Sequence, residues 1–270
     1  MKTRRTLLAL FFAAFVLFLY GPTATIVLLS FQGPDGGLTF PMNGVSTHWF
    51  GQLFGQQRVG DLGGAFQRSI ALAFMVMAAT VLVALPAGLA FRRRFRGSGA
   101  LLTLVVASLI VPSILVSLGV GLLFSAAGLD PDWWSSAFGA QLTWTLPFGV
   151  LVMFAVFNRF DRAWEEAARD LGASPWQVFS QVVLPIILPG VVGIALFGFT
   201  LSYDEFARTL LTAGSSNTLP LEIFGMTTNI TTPVLYALGT VTTGLSFLAI
   251  GAALGTIATL ARRRARRAAA

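Results

Sequence analysis

Six long apolar runs divide the chain, over about residues 7–29, 66–91, 100–126, 138–157, 186–211 and 234–260, with polar segments between them. Coiled as a helix at ~1.5 Å per residue, each run is long enough to cross, or nearly cross, a hydrocarbon layer of ~30 Å. No stretch alternates apolar and polar residues as a strand does, and no solenoid-length repeat is present. The pattern predicts an all-α polytopic membrane protein, with six transmembrane helices forming one membrane domain over residues 1–270. Prolines punctuate the runs. Pro22 is placed to bend or end the outer part of the first, Pro112 and Pro147 lie within the third and fourth, and Pro189 sits in the first turn of the fifth. Lys2, Arg4 and Arg5 precede the first run, as in a secretory signal peptide. Its length and the poor cleavage sequence Ala24-Thr25-Ile26 favour an uncleaved span.

Most of the intervening segments read as plain loops. Residues 31–64 are rich in Gly, Pro, Gln and Asp, with a short helix predicted near 47–54 and interface positions for Trp49 and Phe50. Asp130-Pro131-Asp132 forms an acidic turn, and Trp133-Trp134 fits an aromatic belt better than a binding cage. A polar loop with Asn217, Thr218, Pro220 and Glu222 follows the fifth run.

The segment 158–185 is different. Trp164, Ala167, Ala168 and Leu171 fall at helical spacing on one narrow apolar stripe. Glu165, Glu166, Arg169 and Asp170 cover the other side, with Glu165 and Arg169 spaced for an i,i+4 pair. Gly172 suits the left-handed residue that ends a helix. Ala173 leads to Ser174, which opens a second helix with Pro175 at its first position and Gln177 completing a capping box. A stripe of small residues suits docking into a groove on another protein; the plainer alternative is an amphipathic loop lying at the membrane surface.

Composition supports the membrane reading, with 55% apolar residues, 11% charged and a mean hydropathy of +0.77. The chain has no cysteine and a single histidine, His48, which excludes disulfides, thiolate metal sites and multi-histidine sites. Lys2 is the one lysine, so no glycine-rich loop carries the lysine that a phosphate-binding P-loop requires. If ATP drives this protein, a partner binds it.

Charge placement sets a topology. Apart from Arg58, Arg68 and Arg208, the 18 Lys and Arg fall at the N-terminus, at Arg92–Arg96, in 158–185 and at Arg262–Arg267. The positive-inside rule puts those four regions, and hence both termini, in the cytoplasm. Basic runs directly after apolar helices are topology signals and give no reason to expect nucleic acid as a partner. The opposite side holds Asp35, Asp61, Asp130, Asp132, Asp204, Glu205 and Glu222, an acidic face that attracts cations.

Glu166-Ala167-Ala168, then Gly172, then Val182-Val183-Leu184-Pro185 resembles the EAA loop of ABC-importer permeases. Further passages are similar to the PotC-like permeases of spermidine/putrescine importers. They include Thr47-His48-Trp49-Phe50, Leu109-Ile110-Val111-Pro112, Leu184-Pro185-Ile186-Ile187-Leu188-Pro189-Gly190 and Ser202-Tyr203-Asp204-Glu205-Phe206. Arg68 and Trp144 depart from that pattern.

The resemblance implies a type I (MetI-like) importer permease in the bacterial inner membrane, surrounded by lipid. It implies a PotB-like second permease sharing the pore and a PotA-like ATPase dimer holding ATP and Mg. It also implies a periplasmic substrate-binding protein. Glu166, Ala167, Ala168, Leu171, Gly172, Ala173 and Ser174 would then couple the chain to the ATPase, and the chain itself would be no enzyme.

Tyr203, Asp204 and Glu205 are the candidates for touching substrate, because ionisable residues near a membrane span are seldom idle. Carboxylates beside a tyrosine suit a polyamine ammonium. Two plainer roles are open to these acids: Arg208, at i+4, neutralises Asp204, or the pair merely marks the interface. Other substrates of the same transporter class are small organic cations, amines or anions. A stand-alone secondary transporter or channel is the reading from another class, but the runs show no paired broken-helix repeat. An intramembrane enzyme lacks a Ser/His or metal constellation within the runs.

Overall fold

The computed structural model describes residues 2–53, 61–93, 95–229 and 233–268. Arg58 and Arg94, both part of the charge pattern, lie outside the described residues. Among those residues the chain is helical, with one isolated β-bridge between Gln32 and Val45 and no strand. It falls into two compact units, Met1–Gly63 with Glu222–Ala249 and Gly64–Leu221 with Ile250–Ala270.

The first unit contains helix α1 (Lys2–Leu29), the short α2 (His48–Gln52) and the start of the last helix. α1 continues unbroken through Pro22 and exposes apolar side chains on all faces, among them Phe11, Phe18 and Leu19. That is how a helix facing lipid looks. The loop after it folds over the buried Gln32, whose Nε2 donates to the Gly37 carbonyl (3.1 Å) and whose Oε1 accepts from the Asn43 amide (2.8 Å).

The second unit is built around α3 (Leu62–Phe91), α6 (Phe138–Asn158) and α9 (Leu184–Tyr203). Close approach defines their packing. A side chain at Gly149 of α6 would meet Thr80 and Ala84 of α3 at 2.8 and 2.9 Å, and one at Gly88 of α3 would meet Met153 at 2.7 Å. Where the backbones come nearest, the Thr80 hydroxyl donates to that of Thr145 (3.0 Å) in a buried bridge. The apolar core continues through Val150, Met153, Phe157, Val178, Val183, Ile187 and Ile194 towards the end that carries the 158–185 segment.

Two predicted helices and one predicted loop take another form. The third run is two helices, α4 (Ser98–Ser108) and α5 (Ser113–Ala126), meeting at 102°. Pro112 is the cause: it drives the preceding residue away from helical angles, and its own ψ of 130° is extended. The fifth run is displaced. A continuous apolar helix extends from Pro175 to Tyr203, through α8 (Pro175–Gln177), a π-helical stretch Val178–Val183 and α9. It therefore starts before Ile186 and stops well short of Leu211. π-type turns are a common way for a helix to absorb an irregularity in its hydrogen bonding, and here they precede Pro185, which lacks an amide proton.

Past Tyr203 the helix gives way to turns, where Thr and Glu side chains satisfy part of the backbone locally. Thr209 Oγ1 donates to the Glu205 carbonyl (2.9 Å) and Thr212 Oγ1 to the Arg208 carbonyl (2.6 Å). Finally, part of the polar loop expected after the fifth run is a helix, α10 (Leu219–Asn229), which Pro220 suits at its first turn.

Four helical stretches among the described residues are each long and apolar enough to cross a membrane: Arg4–Leu29, Leu62–Phe91, Trp133–Asn158 and Pro175–Tyr203. The bent pair α4–α5 makes a fifth when taken as one broken span, and α11 (Val234–Ala268) contains a shorter apolar part, Val234–Leu248.

Candidate functional site

Local rules shape the segment between α6 and α9. Asp161 Oδ1 accepts from the Ala163 amide (3.0 Å) where α7 (Ala163–Asp170) begins, and Glu165 and Glu166 occupy its first turn, where negative charge is favoured. Gly172 adopts φ 84° and ends the helix in a Schellman turn, with the Ala173 amide on the Ala168 carbonyl (3.1 Å) and the Gly172 amide on that of Arg169 (2.8 Å). The predicted capping box forms: the Ser174 amide donates to Gln177 Oε1 (2.8 Å), and the Gln177 amide to Ser174 Oγ (3.4 Å). The Glu165–Arg169 pair is present at 3.7 Å.

The stripe read from helical spacing divides in two. Trp164, Ala167 and Leu171 face outward with Glu166, and Leu171 is 89% exposed. Trp176 adds a further exposed ring just beyond the turn. Ala168 and Ala173 instead pack inward against the Val178, Val183 and Phe157 core. Glu165 also turns inward. Its carboxylate accepts from Arg92 Nη1 at 2.5 Å, with both side chains nearly buried. Helical spacing alone puts Glu165 on the solvent side, because the partner that draws it inward lies 73 residues away.

The second candidate cluster sits where α9 ends. Tyr203 is buried, stacked on Phe199 with ring centroids 6.1 Å apart, and its hydroxyl has no hydrogen-bond partner among the described residues. Asp204 is exposed, and its carboxylate is in no ion pair or hydrogen bond there. Glu205 is committed elsewhere: Oε1 accepts from the Arg208 amide (2.9 Å), and Oε2 lies 3.6 Å from Arg208 Nη1. Arg208 thus pairs with Glu205 and leaves Asp204 free.

Arg208 does more than its place in the sequence suggests. It is 1% exposed, donates to Ser113 Oγ (2.6 Å) and Thr143 Oγ1 (3.4 Å), and fixes residues 204–213 against α5 and α6. Ser113, Ser117 and Gly121 of α5, spaced at i, i+4 and i+8, receive that segment; Ser117 Oγ accepts from the Leu211 amide (2.9 Å). Beneath it, Gln141 Nε2 donates to Thr209 Oγ1 (3.1 Å), and Ser202 Oγ donates to Gln141 Oε1. An arginine three and four residues after two carboxylates, next to a membrane span, is the sequence signal for this network.

Residues 80–267 match the profile of the family described as binding-protein-dependent transport system inner membrane component. The chain belongs to that family. It is accordingly a permease subunit of an ABC importer, a multi-pass protein of the bacterial inner membrane, and no enzyme in its own right; ATP hydrolysis falls to a partner ATPase.

Among its relatives is the spermidine/putrescine transport system permease protein PotC of Haemophilus influenzae, 33% identical over 85% of this chain and 88% of that protein. The PotC of Escherichia coli is 30% identical over 89% of each chain. The putrescine transport system permease protein PotI of Escherichia coli is 30% identical over 84% of this chain and 82% of its own. In fold, the chain is similar to a bacterial ABC transporter that imports the acidic polysaccharide alginate (TM-score 0.71, 14% identity, 96% of each chain). It is also similar to the MetNI methionine ABC transporter (TM-score 0.58, 19% identity, 73% of this chain and 94% of that one).

Proposed function

We propose that this permease forms half of a translocation pore for polyamines, of the spermidine and putrescine kind, with a PotB-like permease as the other half. In this reading the chain crosses the membrane six times with both termini in the cytoplasm. The distribution of arginines supports it, because the described basic positions of the 92–96 run and of the α7 region then share one side.

α7 is the coupling helix and rests in a cleft of a PotA-like ATPase that holds ATP and Mg. The single observation that carries this reading is the outward face of α7, where Trp164, Ala167, Leu171 and Glu166 stand exposed while Ala168 and Glu165 hold the helix to the rest of the unit. ATP binding draws the ATPase dimer together and moves α7 as a rigid body. α6 and the continuous Pro175–Tyr203 helix, joined to α7 through the chain, swing with it and open the pore to the periplasmic binding protein.

Asp204 serves as the cation contact at the outer end of that helix. Its free carboxylate, with the Tyr203 ring beside it, suits an ammonium group, while Glu205 is retained by Arg208. The polyamine assignment is supported by the similarity to PotC and PotI over most of the chain. Two tests separate the parts. The ATPase should co-purify with the wild-type chain and be lost with Glu166→Lys. Unlabelled spermidine, but neither sulfate nor a neutral sugar, should suppress ATP-driven uptake of labelled putrescine.

A further inference from the structure

α3 has no direct peptide link to the coupling segment, since the helices flanking that segment are α6 and α9. We infer that Arg92 is a positioning residue that fastens the end of α3 to α7, so that the coupling helix drives three helices instead of two. The inference rests on the coupling-helix reading given above.

The guanidinium and the carbonyl of Arg92 both bond to residues of α7 or the turn before it, and two phenyl rings flank the guanidinium. Nη1 donates to Glu165 at 2.5 Å, the guanidinium lies 5.2 Å from the Phe157 ring centroid and 4.9 Å from that of Phe160, and its carbonyl accepts from Arg162. Arg169 approaches the other Glu165 oxygen at 3.7 Å. A topology signal needs none of this. Arg93 and Arg96, in the same basic run, are exposed, as cations that merely mark the cytoplasmic side can be.

A cavity of about 720 Å³ is lined by Leu89, Arg92 and Phe95 on the α3 side and by Glu165, Val178, Phe179 and Val183 on the other. Leu89 and Phe91 also pack against the core that contains Phe157, Val178 and Val183, and the ion pair with the Arg162 bond adds a directional link from the end of α3 to α7. Farther along, α3 meets α6 at Gly149 and α9 at Gly198, whose absent side chain would lie 3.2 Å from the Met77 backbone. Close-packed helices of this kind pass on a displacement instead of absorbing it.

The chain has no cysteine, so a label pair can be introduced cleanly at Arg93→Cys and Asp170→Cys. The full transporter in lipid vesicles is measured by electron spin distance methods with and without ATP. With Arg92 present, one narrow distance is expected, unchanged by ATP, because α3 and α7 travel together. With Arg92→Gln, the distance should broaden and shift by about 2 Å when ATP binds, as for one helix sliding past another. Arg92→Lys should restore part of the narrow distribution. An ATP-dependent distance in the protein that retains Arg92 overturns the inference, as does an Arg92→Gln distribution identical to it in both states. Glu166→Lys separates the two levels. If that variant keeps its ATPase and its uptake, the coupling-helix reading has failed; if it loses them while Arg92→Gln leaves the distance fixed, only the role of Arg92 has failed.

Discussion

The guanidinium of Arg208 lies 4.8 Å over the ring of Trp144, and the same group is ion-paired to Glu205. This stack decides which of two adjacent carboxylates is available. Glu205 is tied down beside a buried cation, while Asp204 has no such partner among the described residues.

Arg208→Ala should therefore destabilise the chain by ~3–5 kcal/mol, because it strands the Glu205 carboxylate in a nearly closed site. Trp144→Leu removes only the face of the stack and should cost ~1–2 kcal/mol. Thermal denaturation of the detergent-solubilised protein checks both. Equal effects of the two substitutions would mean that packing, and not charge, holds residues 204–213 in place.

The adjacent acids should separate by readout. Asp204→Asn is expected to leave thermal stability unchanged and raise the KM for polyamine about fivefold, equivalent to ~1 kcal/mol of lost cation attraction. Glu205→Gln should do the reverse, lowering stability with little change in KM among the molecules that remain folded. Transport kinetics and melting curves on the same preparations distinguish the cases. Unaltered kinetics in Asp204→Asn would remove that residue from the pathway.

Gly172 takes a φ of 84°, where a β-branched residue fits poorly. Gly172→Val should cost ~1–2 kcal/mol locally, displace Ala173 from its bond to Ala168 and misdirect α7. Insertion in the membrane should persist while uptake per ATP hydrolysed falls. Wild-type coupling in this variant would show that the Schellman turn does not aim the helix.

At Gly149 the expectation is purely structural. An alanine there meets Thr80 and Ala84 below 3.0 Å, so Gly149→Leu should overpack the α3–α6 contact and destabilise by ~1–3 kcal/mol or more. Gly139, on the same helix, has open space around it and should accept alanine without loss.

What could be read from the sequence follows the range of the interactions. The Gly172 turn and the Ser174–Gln177 box depend on residues three to five apart, and both form as their sequence patterns indicate. The long apolar runs likewise declare themselves as helices.

Burial across the chain was not legible. Glu165 is spaced to pair with Arg169 on an exposed face, and nothing local reveals that Arg92 draws it inward. The fifth apolar run extends past the end of α9 because Phe206, Leu210 and Leu211 continue the apolar composition. The Ser, Thr and Gln bonds that hold 204–213 involve α5 and α6 far away in sequence. Pro112 was visible as an interruption, but whether a proline bends a helix or splits it depends on what packs around the break. The apolar residues of α10 and the proline at its start are the local features that favour a helix there.

The most direct measurement is uptake of labelled putrescine and spermidine by vesicles holding the complete transporter with ATP inside the compartment that contains the ATPase. The account predicts saturable, ATP-dependent accumulation of both polyamines, none of sulfate or a neutral sugar, and loss of accumulation with Glu166→Lys. ATP hydrolysis that proceeds without polyamine movement, while another solute accumulates, would contradict the substrate assignment. Polyamine uptake that needs no ATPase would contradict the coupling mechanism itself.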